Sequence, residues 1–236
     1  MIQLGILLTN RYRLLSVAAI LDVFESVNRF YVNDGKAPAF DISLFSADVI
    51  DQQKAIEFNS YQIQQTDTAA KQDLIFIPAF VSADIGLAIR ENQKYIPRLQ
   101  QQFKAGAELA CVCTGAFLLG ATGLLNGRPA TTHVDACKQF ASAFPTVKLQ
   151  EDKVVTGDGG LYTSGGSTSS FHLMLHLLQK YCGKDIAVRT AKLFLLIWIG
   201  SIKHISVLSR HYSSIMMNWL PWHKEVLKAH ITALVP

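Results

Sequence analysis

Short apolar runs alternate with longer segments of helical periodicity along most of the chain, and this alternation restricts the fold more than any other feature. The runs Ile2–Leu8, Phe40–Ala47, Asp73–Ile77 and Glu108–Val112 have the length and composition of strands. The segments between them carry apolar residues three to four positions apart, which is typical of helices. The order predicts an α/β protein with a mostly parallel central sheet covered by helices on both faces.

The pattern changes after Pro145. Three short β segments separated by turn-like sequences are predicted at Val147–Gln150, Val154–Thr156 and Leu161–Thr163. Two helices, Thr168–Tyr181 and Lys184–Ile197, follow them. Upstream of these elements, Ile85–Phe103 is predicted to be a single helix despite Pro97.

Composition excludes several classes of protein. Half of the 236 residues are hydrophobic and 17% are charged, so the chain buries a large core and is not disordered. The net charge of +4 is too small to indicate a nucleic-acid or membrane-surface binder. Four cysteines in a chain of this length do not make a disulfide framework, and the first residues lack the features of a signal peptide. We therefore expect a cytoplasmic protein with reduced thiols and no membrane partner.

The segment around Cys113 carries the strongest chemical signal. An apolar strand runs directly into a helix pattern there, with small residues on either side of Cys113, and this order predicts a nucleophile elbow. The start of the following helix would favour a thiolate. His133, 20 positions further on, is a candidate partner for a Cys/His pair. Cys111 lies inside the strand and is expected to be a core residue.

A family resemblance rests on these residues. The segment Cys113-Thr-Gly-Ala-Phe-Leu-Leu-Gly-Ala-Thr-Gly-Leu-Leu-Asn-Gly-Arg-Pro-Ala-Thr-Thr-His133, with Leu161-Tyr-Thr-Ser-Gly-Gly166, resembles the ThiJ/PfpI group of the class I glutamine amidotransferase-like superfamily. It is most similar to the branch that forms the N-terminal domain of AraC-type transcription regulators. The resemblance covers about residues 1–197 and implies a flavodoxin-like three-layer α/β sandwich that dimerises.

Catalytic members of this group carry residues that the chain lacks. They have an acidic residue at the start of the first helix, where this sequence has Ser16, and a hydroxyl does not share a proton with a thiolate in the same way. They have a Pro-Gly-Gly turn that helps to form an oxyanion hole, where this sequence has Pro78-Ala79-Phe80. Phe80 is expected to bring its ring into the mouth of the pocket. The predicted ligand-binding residues are Ser16, Phe80, Cys113, Thr114 and His133, with Cys113 and His133 as candidate or vestigial catalytic residues.

Four further residues bear on the chemistry of the chain. Val134 and His172 stand where the regulator branch usually has Trp and Asp. His172 and His176 have the spacing of two metal ligands on one helix face, but no third ligand is evident, so they are expected to be hydrogen-bonded helix residues and no metal is predicted. Asp22 is expected to lie on the protein surface rather than to replace the missing acid.

The C-terminal part predicts a second region. Residues 1–200 are assigned to the ThiJ/PfpI-like domain, and 201–236 to a helical linker toward a DNA-binding domain, because Trp219–Val235 resembles the linker and first helix of that domain in the regulators. Thirty-six residues are too few for its two helix-turn-helix motifs. DNA is therefore expected to be contacted only through a domain that these residues do not contain.

Three functions remain open from the sequence. The first, which the resemblance favours, is a non-catalytic domain of an AraC-type transcription regulator. It binds an unknown small-molecule effector, needs no cofactor and forms a homodimer through the apolar block Leu193–Ile199. The second is a thiol-dependent enzyme, a hydratase or hydrolase that uses Cys113 and His133. The third is a redox sensor in which an exposed, low-pKa Cys113 is oxidised.

Overall fold

The protein is described from a computed structural model. The structure describes residues 1–47, 61, 63–65, 70–81, 84–166, 168–194 and 196, all of which belong to the unit Met1–Ile205. The predicted linker 201–236 and most of the apolar block 193–199 therefore lie outside the described residues.

A mostly parallel seven-stranded sheet forms the centre of the molecule. Its strands are β1 (Ile2–Leu7), β2 (Phe40–Ser46), β3 (Ile63–Gln65), β4 (Leu74–Ile77), β5 (Glu108–Val112), β8 (Val155–Asp158) and β9 (Leu161–Ser164). They are arranged in the order β3-β2-β1-β4-β5-β9-β8, and β8 alone is antiparallel to its neighbour. Two short strands, β6 (Pro129–Ala130) and β7 (Lys148–Leu149), pair separately. The central strands β4 and β5 consist almost entirely of buried apolar residues, as expected for strands covered on both faces.

Helices cover both faces of this sheet and divide the core in two. The helices are α1 (Leu14–Asn33), α2 (Ile85–Asn92), α3 (Ile96–Lys104), α4 (Gly115–Ala121), α5 (Cys137–Ala143), α6 (Ser169–Cys182) and α7 (Lys184–Leu193). One core cluster joins the sheet to α1, α6 and α7, and the other joins it to α2, α3, α4 and α5. This is the predicted flavodoxin-like three-layer sandwich, and the fold class is confirmed.

The single helix predicted at Ile85–Phe103 was wrong. Helix α2 ends at Asn92, a 3₁₀ turn covers Gln93–Tyr95, and α3 begins at Ile96. Pro97 causes the break, because a proline inside a helix lacks an N–H and clashes with the carbonyl four residues earlier, whereas the first turn of a new helix accepts it.

Other predicted boundaries held to within a few residues. Helix α7 ends at Leu193 and Phe194 lies in a turn, and the predicted helix end at Ile197 lies outside the described residues. Strand β3 was not predicted at all. Among the described residues, no helix is long and apolar enough to span a membrane.

Candidate functional site

Cys113 occupies a sharp turn between β5 and α4. It has a φ of +54°, a left-handed conformation that is uncommon for a residue with a side chain. Its N–H donates a hydrogen bond of 2.9 Å to the Ser164 carbonyl at the end of β9. The turn has the elbow geometry that the sequence predicted.

The turn requires glycine two residues later. A Cβ on Gly115 would lie 2.6 Å from the Ile77 carbonyl oxygen and 2.8 Å from that of Pro78. Helix α4 can therefore start directly against the end of β4 only because Gly115 has no side chain.

Hydrogen bonds fasten three chain segments around this turn. The Ser16 hydroxyl accepts the Ala79 N–H at 3.0 Å, and the Arg13 N–H donates to the Ala79 carbonyl at 2.7 Å. Thr114 Oγ1 accepts the Phe80 N–H at 3.0 Å and donates to the Phe80 carbonyl at 2.7 Å. The starts of α1 and α4 are thus fixed to the loop that follows β4. We call this loop, Pro78–Val81, the clamp loop.

Phe80 does not occupy the place that the sequence suggested. Its side chain is 1% exposed and packs in the core cluster beneath α2 and α4, so the ring does not fill an open pocket mouth. Its N–H is already bonded to Thr114, and it is not free to stabilise a negative charge on a ligand. In this structure Phe80 supports the clamp loop.

Burial dominates the chemistry of the Cys113 thiol. The residue is 3% exposed, and burial raises the pKa of its thiol, although hydrogen bonds from Thr114 and the nearby positive charge of Arg13 lower it in part. The hydrogen bonds at the start of α4 favour a thiolate, but the loss of hydration outweighs them, so the net direction of the pKa shift is upward. Cys111 is fully buried with a raised pKa, as expected of a core thiol.

His133 follows a segment that packs against the elbow. The hydroxyl of Thr132 donates to the Cys113 carbonyl at 3.1 Å, which brings the backbone next to His133 close to the turn. The imidazole is partly exposed, and its Nδ1 accepts the Asp135 N–H at 3.3 Å. The same Nδ1 lies 3.6 Å from an Asp135 carboxylate oxygen. The pairing of the Cys113 thiol with the His133 ring stays a prediction.

The other candidate residues lie apart from this turn. Asp22 is exposed on α1, as expected of a surface residue, and its carboxylate lies 3.8 Å from the Arg29 guanidinium. Val134 is also exposed. His172 was expected to be hydrogen-bonded, but its buried Nδ1 has no partner among the described residues, and burial lowers the pKa of both His172 and His176. Within the described ranges no three potential metal ligands come together.

The structure thus brings four of the predicted site residues together: Ser16, Phe80, Cys113 and Thr114. Ser16 and Thr114 form hydrogen bonds with the clamp loop, which contains Phe80, and Cys113 directly precedes Thr114. Sequence reasoning missed Arg13 and Thr132. Arg13 immediately precedes α1 and Thr132 precedes His133, so both were adjacent to predicted positions, but their contacts with Ala79 and Cys113 join residues far apart in the sequence.

The chain is similar to known proteins in sequence and in fold. The model of the DJ-1/PfpI family matches residues 49–180. The chain is 24% identical over 196 residues to the HTH-type transcriptional regulator GbdR of Pseudomonas aeruginosa, covering 82% of this chain and 50% of the regulator. It is 34% identical over 117 residues to an isonitrile hydratase of Pseudomonas putida, covering 49% of this chain and 48% of the hydratase. The chain spans about half the length of these curated relatives.

Solved structures show the same fold. The crystal structure of an AraC family transcriptional regulator from Pseudomonas putida aligns with a TM-score of 0.65 and 15% identity, covering 82% of this chain and all of that chain.

Proposed function

The chain belongs to the DJ-1/PfpI family, and from this membership we infer that it is the effector-binding domain of an AraC-type transcription regulator. The observation that carries this proposal is the similarity to GbdR, which extends over 82% of the chain but half of the regulator. That proportion fits a sensor domain to which a separate DNA-binding region is attached. DNA contact belongs to that region, and a cytoplasmic location, which the four free cysteines suit, is part of the same proposal.

The pocket proposed for the effector lies at the carboxyl ends of β1, β4 and β5. Ligands of open α/β sheets bind at this edge, next to a point where the strand order reverses. Here the order reverses between β1 and β4, and Ser16, Thr114 and Cys113 lie around that point. We propose that Ser16, Phe80, Cys113, Thr114 and His133 shape the site, with Phe80 acting through the clamp loop.

Three features favour binding over catalysis. The Ser16 hydroxyl is engaged by the Ala79 N–H, and the Phe80 N–H is engaged by Thr114. The Cys113 thiol has a raised pKa, which reduces the thiolate available for nucleophilic attack at neutral pH. The same burial disfavours the redox-sensor alternative, since a sensor thiol is exposed and of low pKa.

An activity assay separates this proposal from the enzyme alternative. The similarity to isonitrile hydratase makes an isonitrile the first substrate to test, followed by small dicarbonyl compounds. We expect wild-type turnover to match the Cys113→Ala variant, and any gain to be confined to Ser16→Glu, which restores a carboxyl group. Robust wild-type turnover that disappears in Cys113→Ala would establish the enzyme instead.

Ligand binding tests the proposal directly. In a thermal-shift screen against small metabolites, an effector raises the melting temperature in a concentration-dependent manner. We expect such a hit to bind about tenfold more weakly to His133→Ala, whereas Lys138→Ala, an exposed change on α5, leaves the affinity unchanged. Transcript profiling of a strain that lacks the gene then checks the regulatory role, and an unchanged transcript profile argues against it.

A further inference from the structure

A concave site lies far from Cys113. A cleft of about 340 Å³ opens between the end of α1 and the start of α7. Its charged and reactive lining consists of two acids, two bases, a phenol and a thiol: Asp34, Asp185, Lys36, Arg189, Tyr31 and Cys182. Ser16 and Tyr31 are fifteen positions apart on α1, so the cleft is about 22 Å along this helix from the clamp loop.

One wall of the cleft is already neutralised. The Arg189 guanidinium bonds both Asp34 carboxylate oxygens, at 3.2 and 3.0 Å, and lies 4.1 Å from the centre of the Phe30 ring. This contact joins α7 to the end of α1 and holds both charges in place.

The other two charges have no such partner. The Lys36 ammonium lies 5.8 Å from the centre of the Tyr31 ring, and Asp185 lies in the first turn of α7. Within the described part of the chain neither forms an ion pair or a side-chain hydrogen bond. One free positive and one free negative charge therefore line a single concavity that also contains the Cys182 thiol.

We propose that this cleft binds a small zwitterion that carries both an ammonium and a carboxylate group, of the size of an amino acid or a dipeptide. The ammonium would pair with Asp185 and the carboxylate with Lys36. A ligand with one charge alone would leave the opposite protein charge without a partner in the cleft. The volume lies at the lower end of the range of about 300–1,000 Å³ for small-molecule sites, which favours a small ligand.

Because the cleft lies between α1 and α7, a ligand bound there would also act on α7. Helix α7 is the last described helix before the 201–236 segment. A ligand that bridges Lys36, which follows α1, and Asp185, at the start of α7, would restrain α7 against α1.

The test uses glycylglycine as the probe and Cys182 as the reporter. Cys111, Cys113 and Cys137 are buried, while Cys182 is partly exposed, so its alkylation by iodoacetamide can be followed by peptide mass spectrometry. We expect glycylglycine to slow the alkylation of Cys182 several-fold and to give a measurable Kd by calorimetry. N-acetylglycylglycine lacks the ammonium and glycylglycinamide lacks the carboxylate, and each is expected to bind at least about tenfold more weakly.

Matched variants complete the experiment. Asp185→Asn and Lys36→Gln alter exposed residues, and each is expected to weaken glycylglycine binding about tenfold. Asp41→Asn and Lys148→Gln make the same chemical changes on exposed residues elsewhere and should leave binding unchanged. Cys113→Ala should also retain binding, which separates this site from the proposed effector pocket. Absence of binding, equal binding of a blocked peptide, or binding that does not protect Cys182 would overturn the proposal.

Discussion

At the residue scale, Gly115 decides whether the elbow can form. In Gly115→Ala the new methyl group would press on the carbonyl oxygens of Ile77 and Pro78, which are backbone atoms and cannot swing aside. We expect a loss of about 1–3 kcal/mol in the free energy of unfolding, measured by urea denaturation. Gly166→Ala is the control, because its nearest neighbour, Ser169 Oγ, would be 3.5 Å away. Equal stability of the two variants would contradict the close approach.

The Cys113 thiol makes a second prediction at this scale. Since burial raises its pKa above the usual value of 9.0, the thiol is mostly protonated at neutral pH, and its rate of alkylation should still be increasing above pH 9. Mass spectrometry of the Cys113 peptide gives this rate, with glutathione as the reference thiol. A rate that reaches its plateau near pH 7 would instead reveal a thiolate.

The elbow could be predicted because its signal is local: a strand, small residues and a helix follow one another within a few positions. The clamp loop could not, since the bond between Ser16 and Ala79 joins positions 63 apart. The orientation of Phe80 was also beyond sequence reasoning. Its ring faces the second core cluster because the clamp loop is fixed to both Arg13 and Thr114, and neither contact leaves a pattern in the sequence.

At the scale of elements, a carboxylate ties α6 to the sheet. Glu108 begins β5, and its side chain accepts hydrogen bonds from Lys180, from Tyr181 at 2.6 Å and from Tyr162 at 3.2 Å. Burial alone would raise the pKa of Glu108, but these donors outweigh it and lower the pKa below its usual value of 4.5. The ionised form is therefore favoured in the folded protein.

This network makes stability depend on pH in a defined direction. A carboxyl group whose pKa is lower when folded stabilises the protein above its unfolded pKa, and this stabilisation is lost as the pH falls through the folded value. We expect Glu108→Gln to lower the free energy of unfolding by about 1–2 kcal/mol at neutral pH, after allowance for solvent screening. Below pH 4.5 the free energy of unfolding should fall less in this variant than in wild type, because the variant has no carboxyl group to protonate at this position. Chemical denaturation at several pH values measures both effects. Glu151→Gln, an exposed control, should follow the wild-type curve.

Elements differ in how well the sequence predicts them. Helix α6 is long and strongly periodic, and its predicted range, Thr168–Tyr181, nearly coincides with the observed Ser169–Cys182. Strand β3 is three residues long and reads Ile-Gln-Gln, so it exists through its pairing with β2 rather than through any apolar pattern.

At the scale of the whole molecule, dimerisation stays a prediction that can be tested at α7. Leu193 ends this helix and is 53% exposed, and it begins the apolar block 193–199. We expect light scattering to give a dimer at micromolar concentrations for wild type and a shift toward monomer for Leu193→Lys. Leu87→Lys, at a partly exposed apolar residue on α2, is the control and should stay dimeric. A wild-type monomer would count against an interface at this block.

The segment that leads from α4 to His133 is also fastened by side chains near β8, the last strand of the sheet. Arg128 reaches the carboxylate of Asp158, the last residue of β8, at 2.9 Å, and Thr131 Oγ1 donates to the carbonyl of Lys153, two residues before β8, at 3.0 Å. An uncovered edge of a sheet attracts strands from other molecules and can seed aggregation. We expect these contacts to disfavour the addition of a strand from a second chain next to β8.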